Sequence, residues 1–322
     1  MSVKDQFRTY KQHREARTAP ATDPEANGIP PSAPEAHAAP TAASPAGVAT
    51  DLPFPENNRL YYKTYLNSPD APWVTLVHGV GGSSIIWYKQ IREFSRHFNV
   101  LVVDLRGHGK SRDLFAAYMG REYTFEDISM DVLRVLDHLG IEKSHFMGVS
   151  LGTILIRVIA EIDPDRVQSM TLAGAITRLN IRSRFLVWVA KVFKPVIPFM
   201  WLYRLFANIL MPNRRHKESR YLFIKEAQKI YRREINRWFK LLKDVNPLLQ
   251  FHVEQNPEIP TLYLMGDEDH LFLRPVQNLV QDNPMASLIT IRNSGHVCNV
   301  DQPAQFNEHA IHFVRQKHRK DA

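Results

Sequence analysis

The stretch Ser144-His145-Phe146-Met147-Gly148-Val149-Ser150-Leu151-Gly152-Thr153 constrains this chain most. An apolar run leads into Gly148, Ser150 sits at the turn, and Leu151 to Ile156 continue as a helix. A strand that becomes a helix this abruptly strains the backbone of its central residue and crowds its neighbours. Glycine at 148 and 152 removes the side chains that would clash. The Ser150 hydroxyl is thereby held at the C-terminal edge of a sheet, beside the first N–H groups of the next helix. G-x-S-x-G alone also fits a plain small-residue turn, so the flanking chain must decide.

Around this turn, strand and helix patterns alternate. Leu60 to Tyr65 reads as an early strand. Trp73-Val74-Thr75-Leu76-Val77 and Val100-Leu101-Val102-Val103 are apolar runs of the kind buried on both faces of a sheet. Val167 to Leu172, Thr261 to Met265 and Ser287 to Ile291 add further strands. Helices are predicted over 84–97, 125–139, 151–162, 274–281 and 303–317. The second carries Ile128, Val132, Val135, Leu136 and Leu139 as one stripe, closed by Gly140. This order predicts an α/β fold: a mostly parallel central sheet with helices on both faces.

The strand C-termini of such a sheet form its functional edge. The loop after 73–77 reads His78-Gly79-Val80-Gly81-Gly82-Ser83-Ser84. Its glycines let backbone approach a ligand. The N–H groups of Val80 and Leu151 are candidate donors to an oxyanion, and Gly79, Gly81 and His270 are candidate substrate-binding positions. A phosphate cradle is the weaker reading, since G-x-x-x-x-G-K-[ST] is absent. The loop after 100–103 reads Asp104-Leu105-Arg106-Gly107-His108-Gly109-Lys110-Ser111, whose polar residues are expected to fix the turn beneath the site. The loop after 261–265 is Gly266-Asp267-Glu268-Asp269-His270, and after 287–291 comes Asn293-Ser294-Gly295-His296. A serine, an acid and a histidine therefore follow one another as serine hydrolysis requires: a base to take the hydroxyl proton, and a carboxylate to orient the base.

Five segments, HGVGGSS, DLRGHGKS, GVSLG, GDEDH and SGHVCNVDQP, resemble in order the signatures of the α/β-hydrolase fold superfamily, over roughly residues 59–317. The resemblance implies Ser150 as nucleophile, His296 as base and Asp269 as acid, with Asp267 the rival two residues earlier. It also implies that the segment 176–256, which interrupts the sheet pattern, is a helical cap. Relatives that open haloalkanes or epoxides carry aspartate at the elbow, which disfavours those reactions here. The expected activity is cleavage of a carboxylic ester with an apolar acyl group. Acyl transfer or thioester hydrolysis on a carrier- or coenzyme A-bound acyl group uses the same residues and is the alternative. A lyase employing them without an acyl-enzyme, and a hydrolase-fold binding protein without turnover, are further readings. No metal or cofactor is implied: neither H-E-x-x-H nor a paired C-x-x-C occurs.

Charge bears on partners. The chain carries +8, yet residues 176–256 hold seventeen Lys/Arg against five Asp/Glu, so the whole excess lies there. The same segment is greasy from Phe185 to Met211, but Lys191, Lys194, Pro195, Pro198 and Arg204 argue against a membrane span. Two or three short helices, apolar toward a pocket and basic outside, predict an anionic membrane surface, an acidic acyl carrier or a coenzyme A phosphate as partner. Nucleic acid is not expected, because no binding motif accompanies the charge. Residues 1–58 are expected to be an extension: a short helix or ragged end over 1–18, then a Pro/Ala-rich disordered linker over 19–57. With one cysteine, Cys298, and no apolar signal core, the expected location is the cytoplasm, peripheral to the membrane if the cap binds it.

Overall fold

The computed structural model describes residues 49–50, 60–111, 123–179, 197–241 and 258–321, with residues 184–186, 188–189, 192, 245 and 248–249 between them. The expected N-terminal segment 1–18, and the linker apart from residues 49–50, lie outside the described residues.

Burial follows the sequence pattern. The continuous apolar runs form the sheet interior: β3 (Trp73–Val77), β4 (Asn99–Val103), β5 (Ser144–Val149), β6 (Val167–Ala173) and β7 (Thr261–Gly266) are almost wholly buried. β2 (Tyr62–Tyr65) alternates buried and half-buried residues, and β8 (Ala286–Ile291) is largely accessible, as suits positions toward the sheet margins. A two-residue strand, β1 (Ala49–Thr50), pairs antiparallel with β2. It falls inside the expected linker and ahead of Arg59, where the sheet was expected to begin. Strand pairing there uses backbone groups, so a Pro/Ala-rich composition does not reveal it.

Among the described residues eight strands lie in the order β1-β2-β4-β3-β5-β6-β7-β8. β2 runs antiparallel to β4, and all pairs from β4 to β8 are parallel. The chain thus builds outward from β3 to β4, then returns across β3 to build the other half from β5. The switch point lies between β3 and β5, so the loops leaving these two strands open side by side at one edge.

The helices carry matching signals. α1 (Tyr88–Phe94) follows a 3₁₀ turn at Ser84–Trp87, so the expected single helix over 84–97 is divided. α2 (Phe125–His138) starts where the Thr124 hydroxyl accepts from the Asp127 N–H at 3.0 Å, with Glu126 and Asp127 in its first turn. α3 (Leu151–Ile162) is buried on every side, Glu161 excepted. Between β6 and β7 the chain inserts α4 (Phe199–Leu210), α5 (Lys217–Ala227) and α6 (Arg232–Leu241), the helical cap. α7 (Leu273–Gln281), α8 (Cys298–Asp301) and α9 (Pro303–Asp321) complete the fold. No helix among the described residues is long and apolar enough to cross a membrane.

Gly152 shows how tightly the elbow is packed on β3. A Cβ at this position would stand 2.5 Å from the Val77 carbonyl oxygen and 2.8 Å from that of His78. Both are backbone atoms and cannot rotate away. Gly152→Ala is therefore expected to destabilise the protein by about 1–3 kcal/mol. Denaturant unfolding checks this, and a midpoint equal to wild type would show that β3 and α3 move apart freely.

Candidate active site

The site begins with one strained residue. Ser150 joins β5 to α3 with φ 55° and ψ −122°, a conformation that side chains rarely adopt. Its N–H donates to the Ala173 carbonyl at 3.0 Å, which ties the turn to β6. The strain lifts the hydroxyl clear of the sheet.

The other two strand-end loops converge on it. The Ser150 hydroxyl donates to His296 Nε2 at 2.9 Å, and His296 Nδ1 donates to Asp269 Oδ2 at 2.8 Å. Asp269 and His296 are buried, while Ser150 remains partly accessible. The second Asp269 oxygen accepts from the Phe272 N–H at 3.2 Å, and the Phe272 ring packs 5.3 Å from the imidazole. Between the two candidate acids the geometry selects Asp269. Asp267 is exposed, and its Oδ1 accepts from the Ser294 N–H at 3.1 Å. Gly174, at φ +50°, makes room for the histidine, because a Cβ there would overlap the His296 carbonyl.

The loop after β3 supplies the facing wall. A Cβ on Gly79 would lie 2.9 Å from the Val149 carbonyl oxygen, 3.0 Å from Ser150 Cβ and 3.5 Å from the Leu151 nitrogen. The absence of that side chain lets the loop lie directly on the elbow. Two histidines then fix the loop's peptide planes. His78 Nε2 accepts from the Leu105 N–H at 2.9 Å, so its proton is on Nδ1, which donates to the Gly79 carbonyl at 2.8 Å. The same carbonyl accepts from the Gly82 N–H at 3.1 Å. A carbonyl held from behind turns the N–H of its own peptide, that of Val80, the opposite way. The neighbouring Gly81 N–H is already committed to His108 Nε2 at 2.9 Å. Of this loop's amides, those of Gly81 and Gly82 are thus bonded within the protein, while Val80 and Leu151 remain the candidate oxyanion donors.

The polar residues after β4 support this wall from below. Asp104 accepts from the N–H groups of Ser84 and Lys110 at 2.6 and 2.9 Å, Arg106 pairs with buried Asp131, and His108 Nδ1 donates to the Arg106 carbonyl. Burial lowers the pKa of His78 to about 4; burial, then the neighbouring His78, lowers that of His108 to about 3. Both act as neutral rings. Cys298 is buried, its thiol pushed upward by burial.

The cap closes the site through residues that sequence reasoning did not single out. Tyr203 donates to the Val80 carbonyl at 3.3 Å and stacks on Phe223 at 4.5 Å. Trp238 donates to the Arg106 carbonyl at 3.1 Å and meets the His108 ring edge-on at 4.9 Å. Buried Glu226 accepts from Ser83 at 2.7 Å, and buried Glu234 accepts from Tyr123. His216 lies against Gly295 and is 2.9 Å from Glu268, one residue from each member of the His296–Asp269 pair. No sequence signal marks these contacts, because each joins segments remote in the chain. Between cap and loop lies a cavity of about 160 Å³ whose lining includes Val80, Gly81, Leu202, Phe206, Ile209 and Phe239. His270 is exposed and does not line it. The side chain next to an inward-facing Asp269 points outward.

Two outcomes follow. Alanine normally outlasts glycine, yet Ser150→Gly should exceed Ser150→Ala in stability by about 1 kcal/mol, because only glycine relieves the positive φ; thermal unfolding of both variants measures this. Because the folded values of His78 and His108 lie below the ordinary 6.5, the unfolded chain takes up protons first as pH falls. Their contribution is complete above pH 6.5 and is lost through about 4 and then about 3. The melting temperature of His108→Gln should accordingly fall less steeply than that of wild type across this window.

Comparison with known proteins agrees with this architecture. A family model described as the alpha/beta hydrolase fold matches residues 72–303. The chain is 28% identical over 263 residues to a Pseudomonas savastanoi protein named "Putative carbamate hydrolase RutD", covering 76% of this chain and 94% of that one. It is also 28% identical to a Bacillus subtilis protein named "Uncharacterized carboxylesterase nap", covering 76% and 79%. Among solved structures, the enol-lactonase from Burkholderia xenovorans shares the fold with a TM-score of 0.67 at 21% identity, covering 80% of this chain and 96% of its own. The chain belongs to the α/β hydrolase fold family.

Proposed function

We propose that this protein is a serine hydrolase that cleaves carboxylic esters of apolar acids through an acyl-enzyme. The observation that carries the reading is the Ser150–His296–Asp269 relay, at 2.9 and 2.8 Å, set beside an apolar cavity. Serine is unreactive at neutral pH until a base removes its proton. In the proposed reaction Ser150 Oγ attacks the ester carbonyl while His296 Nε2 takes the hydroxyl proton. Asp269 holds the imidazole in the reactive tautomer and stabilises the imidazolium. The carbonyl oxygen gains negative charge and is met by the N–H groups of Val80 and Leu151, each donor contributing on the order of 3 kcal/mol. His296 then protonates the departing alkoxide, which breaks the C–O bond and leaves the acyl group on Ser150. Water, deprotonated by His296, repeats the addition and releases the acid.

The names of the two relatives support hydrolysis at a carbonyl, of a carbamate in one and of a carboxylic ester in the other. The cavity favours the ester. Val80 and Gly81 join it to the oxyanion wall, and its remaining lining is almost entirely hydrocarbon and aromatic. An acyl chain placed there is largely desolvated, whereas a carbamate nitrogen would find few partners.

A fluorophosphonate probe should label the wild type and leave Ser150→Ala unlabelled. Asp269→Asn should lower kcat by about 10⁴-fold. Across a panel of p-nitrophenyl esters, kcat/KM should rise with acyl length until the cavity is filled. Labelling of Ser150→Ala would remove the serine mechanism, and a panel flat in chain length would remove the acyl pocket. Transfer of the acyl group to an added alcohol or thiol in preference to water would reassign the reaction to acyl transfer.

A further inference from the structure

Helix α4 carries large apolar side chains on both faces. Toward the protein it buries Leu202, Tyr203, Ala207 and Leu210, with Phe206 and Ile209 on the cavity. The opposite face carries Trp201, Arg204, Leu205 and Asn208 at helical spacing. Trp201 is 70% exposed and Leu205 52%. The helical residues described between 184 and 192 repeat this arrangement. Leu186 and Val189 line the same cavity, while Phe185, Trp188 and Val192 are 59%, 55% and 47% exposed. The Phe185 and Trp188 rings stack at 5.8 Å. Leu205 both lines the cavity and reaches solvent, so it stands at the rim between them. Large apolar side chains of this number on two outward faces around one opening mark an interaction surface.

The charge around them is predominantly positive. The cap segment 176–256 carries twelve more cations than acids. Two of its acids, Glu226 and Glu234, are buried and paired with Lys229 and with Arg233 and Arg237, and the exposed Glu218 pairs with Lys89 of the core, which leaves other cap cations outward. Arg184, Arg204, Arg214, Lys217 and Lys225 are exposed. Arg184 precedes Phe185, and Arg204 lies between Trp201 and Leu205 on the outer face of α4.

We infer that this outer cap face, Phe185, Trp188, Trp201 and Leu205 with Arg184 and Arg204, docks on an anionic phospholipid surface. Aromatic rings settle at headgroup depth, and guanidinium groups pair with lipid phosphates in the same layer. A second copy of the chain would bring two strongly positive caps together and is disfavoured by repulsion. The inference concerns binding alone and does not depend on the chemistry of Ser150. Its consequence is to set the Leu205 rim of the cavity against the lipid layer.

The test uses the whole protein with sucrose-loaded vesicles of phosphatidylcholine, with and without phosphatidylglycerol. The protein should pellet with the anionic vesicles, less so as salt rises, and stay in solution with the neutral ones. Brominated acyl chains should quench its tryptophan fluorescence, which would report Trp188 and Trp201 because Trp87 and Trp238 are buried and the half-buried Trp73 starts β3, at the sheet edge opposite the strand C-termini. The double variant W188S/W201S should lose about tenfold or more in partitioning at an unchanged melting temperature. Equal pelleting with neutral vesicles, absence of quenching, or wild-type partitioning by the variant would overturn the inference. Self-association abolished in W188S/W201S would assign the face to a second copy instead. Salt-sensitive capture by an acidic carrier protein with no vesicle binding would assign it to that class of partner.

Discussion

The contact between the loop after β3 and the turn at Ser150 carries the rest of the site. A non-glycine residue at positive φ is stable only when its surroundings over-determine it. Here the constraints are the Ser150 N–H bond to Ala173, the close passage of Gly152 beneath the Val77 carbonyl, and the approach of Gly79 to Ser150 Cβ. The three link β3, β5 and β6, neighbours in the sheet. One arrangement thus raises a hydroxyl out of the sheet and brings the loop after β3 against it at Gly79. A side chain at either glycine would push the loop or β3 away from the elbow even with Ser150, His296 and Asp269 all present.

Around this contact, polarity is used sparingly. His78 and His108 are neutral, fully enclosed, and each accepts one backbone N–H while donating to one backbone carbonyl. They serve as rigid braces whose ionisation burial opposes. The cap attaches to the same braces: Trp238 shares the Arg106 carbonyl with His108, and Tyr203 reaches the carbonyl of Val80. His216 and Glu268 tie the cap to the loops of the acid and the base. The position of the cap and that of the loop beside Ser150 are therefore mechanically joined.

Much of this was legible in the chain. The strand at 73–77 was read with the same limits that the fold gives it, because a strand buried on both faces must be apolar at every position. Helix 151–162 was equally clear from its elbow and unbroken apolar run. The turn and the strand-end loops marked Ser150 and His296, the resemblance to the hydrolases implied their roles, and in the structure Asp269 rather than Asp267 bonds to His296. The edge strand at Ala49–Thr50 was missed because backbone pairing leaves no mark on side-chain composition. His270 was considered for the pocket on proximity in sequence to Asp269, but adjacent side chains diverge, and it faces solvent.

Sequence by itself determined the candidate reacting groups, the sheet that carries them and the uneven charge of the cap, since each is a matter of local pattern or of counting. Tertiary structure decided what surrounds them. Tyr203 meets Val80, and Trp238 meets Arg106, across separations of 123 and 132 residues. The outward turn of Trp201 and the inward turn of Leu202 were likewise open until α4 packed. Local pattern dictates which residues can do chemistry. The partners of a cap side chain depend on how distant helices pack against the sheet, and a long loop closes at nearly the same entropic cost wherever its ends meet.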